Sequence, residues 1–146
     1  MPHFSIPIGP NGPLLDAYVS VSQARWEALQ KAKQLIPPNQ KIRALLDTGA
    51  SGSCLDPSVV TALDIPPHST CLMNTPTTGA TPQTANLYDI GIGIPGATAP
   101  PLVFETVEVA ESNLLAAQGF HMLLGRDILG RCVFYYNGPA NVITVS

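Results

Sequence analysis

The sequence predicts a mostly β domain carrying one or two helices, and three features of the chain point there. Fifteen prolines and twelve glycines cut the 146 residues into short segments, as strands joined by turns require. Most of these segments alternate apolar and polar residues with a period of two. One stretch alone, about residues 20–36, sets its apolar residues at helical spacing over any length.

In chain order, His3–Ile8 puts Phe4, Ile6 and Ile8 on one side, and Gly9-Pro10-Asn11-Gly12 is a turn cluster. Leu14–Val21 reads as the returning strand of a first hairpin. Ser20 and Gln23 fit a capping box for the helix that follows, with Ala24, Trp26, Leu29, Ala32 and Ile36 along it. Pro37-Pro38 is its expected stop, and Trp26, beside Leu29, is expected in the core. Ile42–Leu46 resumes the strand pattern. Asp56-Pro57 caps a short helix reaching Leu63, with proline at its first position. Cys71–Asn74 and Ala85–Ile94 form two arms of a hairpin around the polar tip Thr75–Thr84. Pro95–Pro101 is a loop, and Leu102–Val109 is a strand with Val103, Glu105 and Val107 on one side. Phe120–Leu124 runs into a single helical turn at Gly125–Leu129. Cys132–Tyr136, the Asn137-Gly138 turn and Val142–Val145 close the chain as a hairpin. No internal repeat or low-complexity tract is present, and residues 1–146 read as a single domain.

Composition narrows the function classes. Apolar residues make up 45% and charged residues 12%, which is globular and leaves little charge to solvate a large surface. That balance favours burial of part of the surface in an oligomer. The seven Lys and Arg residues are scattered and the net charge is −3, so a nucleic-acid partner is not expected. No apolar run approaches the roughly 20 residues of a membrane helix, and Met-Pro-His-Phe-Ser is no signal peptide. The expectation is a cytoplasmic protein without a membrane partner. Cys54, Cys71 and Cys132 are odd in number and lack CxxC spacing, so they read as reduced thiols rather than disulfides or zinc ligands. His3, His68 and His121 show no ligand spacing, and neither metal nor cofactor is expected.

The chemistry gathers at Leu45-Leu46-Asp47-Thr48-Gly49-Ala50-Ser51. An apolar strand delivers a carboxylate into a turn of small residues, where Gly49 and Ala50 leave the backbone open to a ligand. The plain alternative is that Asp47 only caps a turn. This segment resembles the active-site signature of aspartic proteases. Leu123-Leu124-Gly125-Arg126-Asp127-Ile128-Leu129 is similar to the apolar-apolar-Gly-Arg segment that retroviral proteases place beside that loop. Thr78-Gly79-Ala80 stands where those enzymes carry a glycine-bearing flap. The three features occur in the family's order over roughly residues 41–146, and the helix near 20–36 reads as an insertion after the first hairpin.

The resemblance to the retropepsin-like aspartic proteases implies a closed, barrel-like fold with a flap hairpin, an inserted N-terminal helix and a short C-terminal helix. It implies a peptide hydrolase that needs two carboxylates at its site. Longer relatives carry both signatures in one chain; this chain has one, so the second Asp47 is expected from an identical subunit. By the same resemblance Asp47 is catalytic, Thr48 bonds across the dimer axis, and Gly49 also accepts the substrate backbone. Gly125 and Arg126 support the site, and Asp127 belongs to that supporting segment. Ala50, Ser51, Gly52, Cys54, His121 and Leu123 line the cleft, with Thr78, Gly79 and Ala80 in the flap. Retroviral enzymes often carry Asp where this chain has Ser51, paired with the arginine of the Gly-Arg segment. That leaves Arg126 to meet Asp127 or a carbonyl of the other chain. The expected substrate is an extended polypeptide with apolar side chains, bound as an added strand. Two other readings remain at this point: a dimeric peptide-binding module without catalysis, and a protease acting only in cis on its own precursor.

Overall fold

The computed structural model describes residues 3–74, 81–96 and 100–146. Among them the chain forms ten strands and four helices. The first half holds β1 (Phe4–Pro7), β2 (Leu14–Val21), α1 (Gln23–Lys31), β3 (Gln40–Leu46), β4 (Ser53–Leu55), α2 (Pro57–Leu63) and β5 (Ser69–Met73). The second holds β6 (Gln83–Ile94), β7 (Leu102–Glu111), α3 (Leu114–Gln118), β8 (Met122–Leu124), α4 (Arg126–Leu129), β9 (Phe134–Asn137) and β10 (Val142–Val145).

Six strands close a barrel in the order β2-β3-β8-β4-β7-β6, with β6 returning to β2. Closure depends on the length of β6. Its second half pairs with β2 through Ile90–Gly93, while its first half pairs with β5 through Gln83–Leu87. The barrel is filled by inward side chains such as Val19, Ile42, Leu55, Ile90, Ile92 and Met122, each with almost no exposed surface. This is the closed, mostly β fold that the sequence predicts. Among the described residues no helix is long and apolar enough to cross a membrane.

Two strands set the site's position. In β3, Ile42, Ala44 and Leu46 face the core while Lys41 and Arg43 face solvent. Strand β8 lies beside it in parallel, Ala44 opposite Met122 and Leu46 opposite Leu124. On its other side β8 runs antiparallel to β4, with Cys54 opposite Leu123. The chain therefore ascends β3, crosses the end of β8 through residues 47–52, and descends β4.

Several expectations are corrected. Strand β1 does not pair with β2 as a first hairpin; it pairs with β10 in a separate β1-β10-β9 sheet. Both edges of β2 are already occupied, by β3 and β6, so no edge is left for β1. Helix α1 is capped by Ser22, whose hydroxyl accepts from the Arg25 amide, rather than by Ser20. It ends at Lys31, well before Pro37. The Lys33 and Gln34 amides turn back to the Gln30 and Leu29 carbonyls with Lys33 at φ 54°, a left-handed helix stop usually made by glycine. Trp26 is exposed rather than packed in the core, and Leu29 is the buried residue of this helix. In β7 the expected alternation fails. Ile90 pairs with Val107 but Ile92 with Phe104, so an extra residue bulges and Phe104 turns inward while Val103 faces out. Helix α3 (Leu114–Gln118) is an element that the sequence pattern does not announce.

Asp56 ties the region beyond β4 together. It is buried; Oδ1 accepts from the Ser58 amide and hydroxyl, and Oδ2 from the Leu115 amide at the start of α3. Burial pushes its pKa up, but these hydrogen bonds and His121 outweigh burial and hold it below the ordinary carboxylate value. A lowered folded-state pKa gives stability that is present above the unfolded value of about 4 and lost as pH falls through the folded one. Asp56→Ala should therefore cost about 1–3 kcal/mol at neutral pH. Urea midpoints of both proteins at pH 7 and pH 3 check this: the gap between them should shrink on acidification.

Candidate active site

Asp47 follows the last residue of β3, where its amide continues the ladder by donating to the Leu124 carbonyl at 2.9 Å. Its Oδ1 accepts from the Gly49 amide at 2.8 Å, and its carbonyl accepts from Ala50 at 3.3 Å. The carboxylate thus sits half-buried in a tight turn. It opens into a hollow of about 960 Å³. Gly49, Ala50, Ser51 and Gly52 of the loop and Cys54 of β4 form one side, with Leu123 behind them. Cys71, Leu72, Met73 and Asn74 from the β5 arm, and Leu87, Val107 and Ala110 from β6 and β7, form the other. Of the acidic side chains around it, Asp47 belongs to the loop, Asp127 to α4 and Glu108 to β7.

The turn beginning at Gly125 holds the loop from behind. Arg126 donates its amide to the Ala50 carbonyl at 2.9 Å and its Nη1 to the Thr48 carbonyl at 2.8 Å. The guanidinium thus meets a carbonyl of its own chain rather than Asp127. Gly125 is needed for closeness, since its φ is an ordinary −91°. A Cβ there would lie 2.6 Å from the Gly52 oxygen and 3.0 Å from that of Ala50. Thr48 is exposed on the loop. His121 stands apart from the hollow: its Nδ1 accepts from the Arg43 amide and its carbonyl accepts from Asp56. Thr78, Gly79 and Ala80 lie outside the described residues.

Ser53 was not singled out from the sequence, yet it is one of three buried polar side chains given by the burial of the described residues. Its hydroxyl donates to Asp127 Oδ1 at 2.7 Å and accepts from the Gly125 amide at 3.0 Å. A serine after a glycine in a polar loop carries no signal of its own; only the Asp127 partner, 74 positions away, gives it meaning.

On the outer sheet face, Asp89 and Glu108 are cross-strand partners, and His68 Nε2 lies 3.4 and 3.2 Å from their carboxylates. The ligand-type atoms of the three lie within 4.8 Å of one another and all three residues are exposed. A protonated His68 would relieve the repulsion between two like charges placed opposite each other.

Residues 38–128 match the family described as aspartyl protease. No curated protein matches the chain. Among solved structures, a retropepsin-like aspartic protease from Rickettsia conorii aligns with a TM-score of 0.61 at 16% identity, covering 99% of this chain and 90% of that one. The protease of simian foamy virus (mac) aligns with a TM-score of 0.47 at 17% identity, over 81% and 92% of the two chains. The likeness to the Rickettsia conorii structure, at 16% identity, speaks for the fold.

Cys54 shares the hollow with Asp47, and its thiol is held up to about 11, first by burial and then by the negative charge of Asp127, Cys71 and Asp47. Surroundings that oppose the thiolate make a weak nucleophile at neutral pH. Iodoacetamide should therefore alkylate Cys54 about 10²-fold more slowly than free glutathione at pH 7. Its rate should still be climbing about tenfold per pH unit at pH 9.5. Peptide-resolved mass spectrometry of labelled protein gives both numbers.

Proposed function

This chain belongs to the aspartyl protease family, and from that premise we propose that it is an endopeptidase whose site is completed by a second copy of itself. The observation carrying this reading is the Asp47 turn. One carboxylate, fixed by the Gly49 amide, faces a hollow of about 960 Å³ open enough for an extended peptide. The chain has a single Asp-Thr-Gly. The other acid nearest that loop, Asp127, already accepts from Ser53 and from the Ile128 amide. The second carboxylate is accordingly assigned to Asp47 of the other copy.

In the proposed reaction one Asp47 is ionised and takes a proton from water, whose oxygen attacks the scissile carbonyl carbon. The other Asp47 is protonated and gives its proton to the carbonyl oxygen. Collapse of the tetrahedral intermediate breaks the C–N bond, and the leaving nitrogen receives a proton from the pair. Two carboxylates about 3 Å apart share one proton because like charges at that distance do not both ionise. Activity belongs to the pair with one proton, so the rate should fall on both sides of an acidic optimum. The mostly apolar walls, Cys71, Leu72, Met73, Leu87 and Leu123, fit apolar side chains on the substrate.

Asp47→Asn should lower turnover of a peptide library by about 10²–10⁴-fold or more while leaving the melting temperature nearly unchanged. Full turnover by that variant would end the proposal, and tight peptide binding without turnover in the wild type would favour a binding module. Specific activity should also follow the dimer fraction on dilution, because each chain holds half a site. Sedimentation and activity over one dilution series test this; constant activity per chain in a proven monomer would exclude a shared site.

A further inference from the structure

We propose that Ser53 and Asp127 are positioning residues that clamp the Asp47 loop across the end of β8, an inference that rests on the protease reading above. The key element is one peptide unit, Leu124–Gly125. A trans peptide is planar, and its C=O and N–H point in opposite directions. The Leu124 carbonyl accepts from the Asp47 amide at 2.9 Å, where the loop begins. The Gly125 amide donates to Ser53 Oγ at 3.0 Å, where the loop ends. One rigid plane thus holds both ends of the loop that carries the carboxylate.

The hydroxyl has a single proton, and where it goes decides what the oxygen can do. Asp127 Oδ1 receives that proton at 2.7 Å, which leaves the lone pairs of Oγ free for the Gly125 amide. The same carboxylate takes the Ser53 amide on Oδ2 at 3.0 Å and the Ile128 amide on Oδ1 at 2.9 Å. Ser53 is therefore gripped at backbone and side chain together, with its side chain fixed in one orientation. The intervening residues gain little from burial: Thr48, Gly49, Ser51 and Gly52 are exposed and Ala50 is half-buried. Hydrogen bonds, not packing, fix their path, and displacements of about 1 Å at a reacting group cost about 10²-fold in rate.

The test uses the full chain at concentrations where it is fully assembled, well below its melting temperature, with the best-cleaved peptide from the library. Ser53→Ala removes the bridge, Ser53→Thr keeps the hydroxyl, and Asp127→Asn keeps the shape while turning one acceptor into a donor. Ser53→Ala and Asp127→Asn should each lower kcat by about 10–100-fold with KM within about threefold. Ser53→Thr should stay within about threefold of wild type, and the double variant should be no worse than the weaker single one, since one bridge is lost once. Amide hydrogen exchange at Asp47 and Gly125 should quicken at least about tenfold in Ser53→Ala, with Ala44 and Val109 unchanged. The clamp is overturned if kcat is restored after correction for folded dimer, if Ser53→Thr is as poor as Ser53→Ala, or if the two losses multiply. It is equally overturned if exchange at Asp47 and Gly125 does not change. Exchange needs no turnover, so a wild type that cleaves nothing removes the protease reading while exchange still decides the clamp.

Discussion

Everything at the Asp47 site hangs on β8, three residues that serve two neighbours of opposite direction. A parallel partner, β3, and an antiparallel one, β4, must be joined over its end. The joining loop has no strand of its own to pair with. Its carbonyls at Thr48 and Ala50 are taken by Arg126, and its two ends by the Leu124–Gly125 peptide. Exposed backbone of this kind is normally mobile; here nearly every anchor comes from one short segment, Leu124–Asp127. The absence of a side chain at Gly125 is part of the same constraint, because the loop's carbonyls approach to where a Cβ would be.

The rest of the barrel exists to keep that segment still. Strand β6 runs long enough to pair with β5, β7 and β2, so the wall of the hollow and the closure of the barrel share one backbone. The close approach of β2 to β6 at Gly91 uses its missing Cβ, which would fall 2.5 Å from Ser20 Oγ. Asp56 anchors the far end of β4 by joining α2 to α3, so the strand leaving the loop is fixed at both ends. Cys54 follows from this packing. The strand that places Ser53 toward Asp127 leaves the next side chain half-buried beside carboxylates, an environment for a neutral thiol.

What the sequence disclosed, and what it hid, divides along contact range. The Asp47 turn, the Gly125 turn, the Asp56 cap and the β5–β6 arms were legible because each is a local pattern of residue types. That Gly49 to Gly52, Cys54 and Leu123 line the hollow is what the family resemblance implies, not what any local pattern gives. The pairing of β1 with β10 is hidden because adjacency in sequence suggests a hairpin with β2, while edge occupancy is a property of the whole sheet. Helix α1 is shorter than its apolar spacing suggests because its stop uses Lys33 in a left-handed conformation, where the usual sign is glycine. The bulge in β7 shifts the alternation by one residue, which no periodicity count detects from one strand alone. His121 was placed by analogy, and in the fold its ring is engaged with the Arg43 amide instead.

The intrachain character of these anchors bears on how a shared site would be assembled. Asp47, Thr48, Ala50 and Ser53 are all held by groups of their own chain. The entropy of ordering the loop, about 1–2 kcal/mol for each residue fixed, is then met during folding rather than at association. In the proposed dimer, an interface would need only to bring together two loops prepared in this way. Arg126 contributes to this by binding the Thr48 carbonyl, which stabilises its own loop. In the proposed dimer each copy would bring a loop already ordered by its own chain, so the encounter of the two copies would weigh more than the ordering of either.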